Sequence, residues 1–146
     1  MRKSVILSLL LALIIPFMAM ARDEMKYTPQ GTHFELLTLG NAKAVKLRLY
    51  DAGIAGKVIK TVNLKSAKQA DGYLLWSADV KGDLKGKFYT FSVKYGGKWL
   101  AETPGVWAKA VGVNGRRGAI VDMRDTDPGD WERDRRPHIA PNDLVI

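Results

Sequence analysis

From Thr32 onward the chain alternates apolar and polar positions with a period of two. In "AVKLRLY", Val45, Leu47 and Leu49 point one way, and Lys46 and Arg48 point the other. In "YLLWSADV", Leu74, Trp76, Ala78 and Val80 share a face. In "FYTFSVKY", Tyr89, Phe91, Val93 and Tyr95 do the same. "THFELL", "KVIKTVNL", "KWLAE" and "GAIVDM" complete about seven candidate strands. Alternation of this kind marks antiparallel strands with one face on a core and one in water. The joints carry turn chemistry: Asp71-Gly72, the "GDLKG" of residues 82–86, and Gly96-Gly97 between two strands. The Gly-Gly pair signals a two-residue hairpin whose turn needs positive φ. Short strands at close spacing without a long helical period predict an all-β, immunoglobulin-like antiparallel sandwich over residues 22–123.

The two ends have a different texture. Arg2 and Lys3 precede an almost wholly apolar stretch from Val5 to Met20, and Ala19-Met20-Ala21 follows as a small-x-small site. This is the pattern of a secretory signal peptide, residues 1–21, cleaved after Ala21. The apolar run is short for a span of about 20 residues and contains Pro16, so no stable membrane anchor is expected. The chain is therefore expected to be exported, to the periplasm or outside the cell. Beyond Met123, "RDTDPGDWERDRRPHIAPND" is too polar for a core and rich in proline. Residues 124–146 are read as an irregular linker that ends in the apolar triplet Leu144, Val145 and Ile146.

Composition narrows the chemistry. There is no cysteine among the 146 residues, which excludes a disulfide scaffold, thiolate metal sites and a thiol nucleophile. The net charge of +8 comes partly from lysines placed singly along strands, such as Lys43, Lys57, Lys60, Lys65 and Lys81. They suit a solvated sheet face that resists edge pairing, so no nucleic-acid partner is expected. The acids between Asp122 and Asp134 are interleaved with arginines and prolines, the pattern of a self-neutralised loop. "DTDPGD" lacks the spacing and closing glutamate of a calcium loop. His33 and His138 lie far apart and fit neither a zinc site nor a triad. No metal, no cofactor and no independent catalytic site is expected.

Three longer motifs are more specific. Trp76, Val80, Gly82 and the run Gly86 to Val93 form the first. Ala108 to Val121, with Asn114, Gly115 and Gly118, forms the second. Pro128, Trp131, Asp134, Arg136 and Pro137 form the third. In order and spacing they resemble the N-terminal sandwich of bacterial type I pullulanases, classed with carbohydrate-binding module family 48, together with the linker that follows it. In such enzymes the linker leads into a (β/α)₈ barrel of glycoside hydrolase family 13, whose first strand "NDLVI" resembles. The resemblance implies a sandwich and linker without that barrel, and so a chain with no hydrolytic activity of its own.

The resemblance also implies site residues. Trp99 follows the Gly-Gly hairpin, and its counterpart in glycogen-binding relatives stacks on glucose. Two other parts of that glucan site are missing here. The early strand runs into "YDAGIAGK" without a tryptophan, and Thr90 stands at the lysine position. Thr103 replaces the usual aspartate, and the segment before Ala108 is two residues longer. Trp107 sits where the family has an aromatic near the domain junction; Asn114, Arg116, Arg117 and Trp131 are further junction candidates. Trp76, on the apolar face of its strand, is expected in the core. The partners implied are the absent barrel and, at most weakly, an α-glucan. The alternative is a stand-alone exported sandwich that binds a glycan or a protein.

Overall fold

The computed structural model describes residues 23–135. The leader expected at 1–21 and the positions Arg136, Pro137, His138 and Leu144 to Ile146 lie outside these residues. The strands are β1 (Met25–Thr28), β2 (Gly31–Leu39), β3 (Ala42–Tyr50), β4 (Val58–Asn63), β5 (Lys65–Lys68), β6 (Tyr73–Lys81), β7 (Phe88–Tyr95), β8 (Lys98–Trp99) and β9 (Gly118–Ala119). One sheet has the order β1-β2-β6-β5. The other has β4-β3-β7-β8, with β9 also pairing β7. All pairings are antiparallel, which gives the expected all-β, immunoglobulin-like sandwich.

Two short strands add to the seven expected. β1 begins shortly after the expected leader and offers only Met25 and Tyr27 as apolar signals. β5 belongs to a continuous extended run with β4, but the chain changes sheets between them. Leu64 is the pivot: its side chain is buried and its N–H donates to the Val45 carbonyl at 3.0 Å. β4 therefore pairs β3, while β5 pairs β6. Two other expected strands shrink to pairs of residues, β8 and β9. The chain beyond β8 stays extended enough for Thr103 to bridge Phe91 through hydrogen bonds of 2.8 and 3.0 Å.

The inward faces follow the alternation. Phe34, Val45, Leu47, Leu49, Trp76, Val80, Tyr89, Phe91 and Ile120 form the buried centre. Tyr89 meets Phe34 and Phe91 edge to face at 5.2 and 5.6 Å between ring centres. Such pairs add about 0.5–1.5 kcal/mol beyond the area they bury. Trp76 is buried as expected, and its indole N–H donates to Thr38 Oγ1 at 2.8 Å. The Gly96-Gly97 hairpin forms, with Gly96 at φ +56, and sets Lys94 opposite Trp99. No helix among the described residues is long and apolar enough to cross a membrane.

Candidate functional site

The hairpin register decides where Trp99 points. Lys94 pairs with Trp99 across β7 and β8, and Lys46 pairs with Ser92 across β3 and β7. Val45, Leu47, Phe91 and Val93 face the core, so Lys46, Ser92, Lys94 and Trp99 share the outer face. Trp99 is half-buried there. Its ring is not an open platform: the Lys46 ammonium sits 4.5 Å from the ring centre, and that of Lys94 sits 5.9 Å away. A cation over an indole face is held by the ring quadrupole with about 0.5–1 kcal/mol at an exposed site.

Further along the same face is a closed polar cluster. Glu102 accepts hydrogen bonds from the Tyr50 and Thr90 hydroxyls, the latter at 2.8 Å, and forms an ion pair with Arg48. Thr90 is 2% exposed, and Ser92, which donates to the Leu100 carbonyl at 2.8 Å, is also buried. Thr90, which the resemblance sets at the lysine position of a glucan site, is thus roofed over. Arg117 closes the cluster. Its guanidinium lies 3.6 Å from the Tyr50 ring centre and donates to the Ala52 and Gly56 carbonyls at 2.5 and 3.5 Å. Arg117 therefore ties the 51–57 loop to this domain's own sheet. Arg116 is exposed, and Asn114 lies in the 3₁₀ turn Val113–Gly115 with φ +56.

Trp107 lies on another surface, held by a residue that the sequence did not single out. Glu24 is 1% exposed. Its carboxylate accepts from Tyr89 Oη at 2.8 Å, from the Gly105 N–H at 2.9 Å and from the Trp107 N–H at 3.1 Å. Next to it, Asp23 pairs with Lys109 at 3.0 Å. Burial raises the Glu24 pKa above its ordinary 4.5, and the three donated hydrogen bonds only partly oppose this. Burial and the adjacent carboxylate likewise raise the Tyr89 phenol. The clamp fixes the backbone of the 104–109 segment and leaves its side chains outward: Val106 is 86% exposed and Trp107 43%. Trp107 lines a shallow depression with Asp23, Glu24, Glu35, Leu37 and Leu75.

On the outer face of the first sheet, His33 bridges two carboxylates, with Nδ1 2.6 Å from Asp79 and Nε2 3.1 Å from Glu35. The acids beyond Ile120 are engaged locally: Asp122 caps the 3₁₀ turn Met123–Thr126 and pairs with Arg124, which lowers its pKa to about 2. Trp131 opens the 3₁₀ turn Trp131–Arg133. The structure thus separates the candidates. Trp99 and Arg117 lie at two ends of one sheet face, Trp107 lies on a different surface, and Trp131 falls in the segment expected as a linker. Lys94 beside Trp99 was readable from the hairpin register; the Glu24 clamp carried no signal, because an acid at a strand's start ordinarily reads as solvated.

No protein-family model matches the chain. A pullulanase of Bacillus subtilis (strain 168) is 28% identical over 120 residues, which is 82% of this chain and 15% of that protein. Among solved structures, the pullulanase of Paenibacillus barengoltzii in complex with maltohexaose and α-cyclodextrin superposes with a TM-score of 0.67 at 36% identity. It covers 82% of this chain and 17% of its own. The pullulanase of Bacillus acidopullulyticus superposes with a TM-score of 0.67 at 29% identity, over 79% of this chain and 13% of its own. The chain spans well under a fifth of each relative. Over 82% of its length, then, this chain is homologous to a domain-sized part of bacterial pullulanases.

Proposed function

We propose that this chain is a non-catalytic accessory and scaffolding domain of an exported, pullulanase-like enzyme of α-glucan breakdown. The parent reaction is hydrolysis of α-1,6-glucosidic bonds in pullulan, glycogen or starch. One observation carries the reading: most of this chain aligns with pullulanases while spanning only 15–17% of their length. A sandwich of the carbohydrate-binding module 48 type fits that share. Hydrolysis of a glycosidic bond needs two carboxyl groups flanking the scissile bond. The inward or paired carboxylates found here have other work: Glu24 holds a loop, Glu102 neutralises Arg48, and Asp122 caps a turn.

The outer face supports weak glucan affinity at most. One of the structural neighbours carries maltohexaose and α-cyclodextrin. In this chain, however, the Trp99 ring is occupied by an ammonium and Thr90 is buried beneath its neighbours. Trp107 with Leu37 and Leu75 offers the surface suited to packing against the remainder of a parent enzyme. The signal-peptide pattern of residues 1–21 supports export. The test has two readouts on the pure chain. Incubation with pullulan should release no reducing ends, and measurable turnover would overturn the non-catalytic reading. Electrophoresis in gels cast with pullulan or glycogen should show slight retardation or none; strong retardation lost in Trp99→Ala would replace scaffolding with binding as the main role.

A further inference from the structure

The group formed by Lys46, Lys94 and Trp99 has more to it than an obstructed sugar platform. Two ammonium groups share one indole ring, and among the described residues no carboxylate pairs with either. The acid on that face, Glu102, is taken by Arg48, Tyr50 and Thr90. The two lysines come from different strands; the β3–β7 register makes them diagonal neighbours, and the β7–β8 register sets Trp99 opposite Lys94. Both are half-buried, so their stems are fixed by packing while their charged ends reach the surface. The arrangement is a pair of positioned, uncompensated cations against an aromatic face.

We propose that this clamp binds an anionic carbohydrate: a sugar carrying a phosphate monoester, its ring against Trp99 and its phosphate between Lys46 and Lys94. The anion half of the inference stands on this geometry, and the carbohydrate half rests on the α-glucan reading proposed above. A neutral glucan that stacks on Trp99 must lift Lys46 off the ring and gives that ammonium nothing in exchange. A phosphorylated glucan supplies the displaced ammonium with a charged acceptor, and its own phosphate relieves the repulsion between the two lysines. Trp99 adds what a bare lysine pair lacks, an apolar surface that favours a sugar over inorganic phosphate.

The probes are potato amylopectin, which carries phosphate monoesters, and the same polymer after phosphatase treatment, each cast into native gels. Retardation of the wild-type chain should be greater in the phosphorylated polymer by at least about fivefold, the effect of one or two charge-assisted hydrogen bonds. Added salt should shrink the difference. Lys46→Met with Lys94→Met should abolish it, and so should Trp99→Ala. Lys65→Met with Lys68→Met, on the other sheet, should keep it. Maltose phosphate should compete at lower concentration than inorganic phosphate. Equal retardation in the two polymers overturns the proposal, whether both bind or neither does. Equal competition by inorganic phosphate overturns the carbohydrate part and leaves an anion site. Should the variants fail to fold, the competition of maltose phosphate and inorganic phosphate for the wild-type chain still decides, because the general attraction of a basic chain to an anionic polymer would favour neither.

Discussion

Gly105→Ala is the sharpest probe of how the 104–109 segment is held. A Cβ built on Gly105 falls inside the Glu24 carboxylate, so the two cannot coexist. The carboxylate must leave, and with it go the bonds from Tyr89, Gly105 and Trp107. Hydrogen bonds to a charged group are worth about 1.5–3 kcal/mol each, which would sum to well over 4 kcal/mol. Two effects reduce this. The released carboxylate regains water, and its burial was already unfavourable enough to raise its pKa. The two backbone donors can also find solvent, whereas the Tyr89 hydroxyl remains in the core. The expected loss is therefore about 3 kcal/mol, or about 9–15 °C in Tm for a domain of this size. Urea unfolding followed by tryptophan fluorescence and circular dichroism measures it. Gly97→Ala is the control, because a Cβ there meets nothing within 4 Å and the backbone φ is not positive. If Gly105→Ala lies within about 1 kcal/mol of that control, the clamp does not hold the segment. A double-mutant cycle adds a second check: once Glu24→Ala is present, Gly105→Ala should have almost no further effect.

Three more outcomes follow from particular contacts. Burial alone would lower the His33 pKa, but its bonds to Asp79 and Glu35 outweigh burial and raise it above 6.5. Protonated His33 thus supports the fold fully below its ordinary pKa, and the support is lost as pH rises through the higher folded value. His33→Asn should remove that slope from melting curves taken across the window, and a persisting slope would place its origin elsewhere. Trp76→Phe should cost about 2–3 kcal/mol, from a partly filled cavity and from the buried Thr38 hydroxyl that loses its donor. Adding Thr38→Val should recover part of this in the same urea assay. Trp107→Ser should change stability by less than about 1 kcal/mol, because Glu24 holds the Trp107 backbone and not its ring; a larger drop in Tm would mean that the ring itself is packed.

The long strands were legible because they obey one rule throughout. β3, β6 and β7 alternate cleanly, and Val45, Leu47, Trp76, Tyr89 and Phe91 are buried as that alternation requires. The sheet change at Leu64 was not legible, because an extended run looks the same whichever sheet it joins. The candidate site was half legible. Gly96-Gly97 fixed Trp99 opposite Lys94, but Lys46 arrives from a strand about fifty residues earlier, and no local pattern announces that its ammonium will settle on the ring. Thr90 could be read as a missing lysine. That it is also sealed beneath Glu102 and its neighbours required the fold. Glu24 was hidden for the same reason: all three of its donors lie at least 65 positions away.

That distance has a consequence for how the chain reaches its native state. β2 and β5 both wait for β6, and β3 completes its pairing with β7, so the first seventy residues can build only the β1–β2 hairpin and the β3–β4 pair on their own. Glu24, near the start of the described chain, is satisfied only after residue 107 has arrived, a closure over 83 positions. Non-local pairing of this kind places the domain among the slower two-state folders, on the order of milliseconds to seconds. The barrier should therefore be crossed late, when β6 and β7 dock together, and a nascent chain that has not yet delivered residue 95 has little reason to collapse into a sandwich.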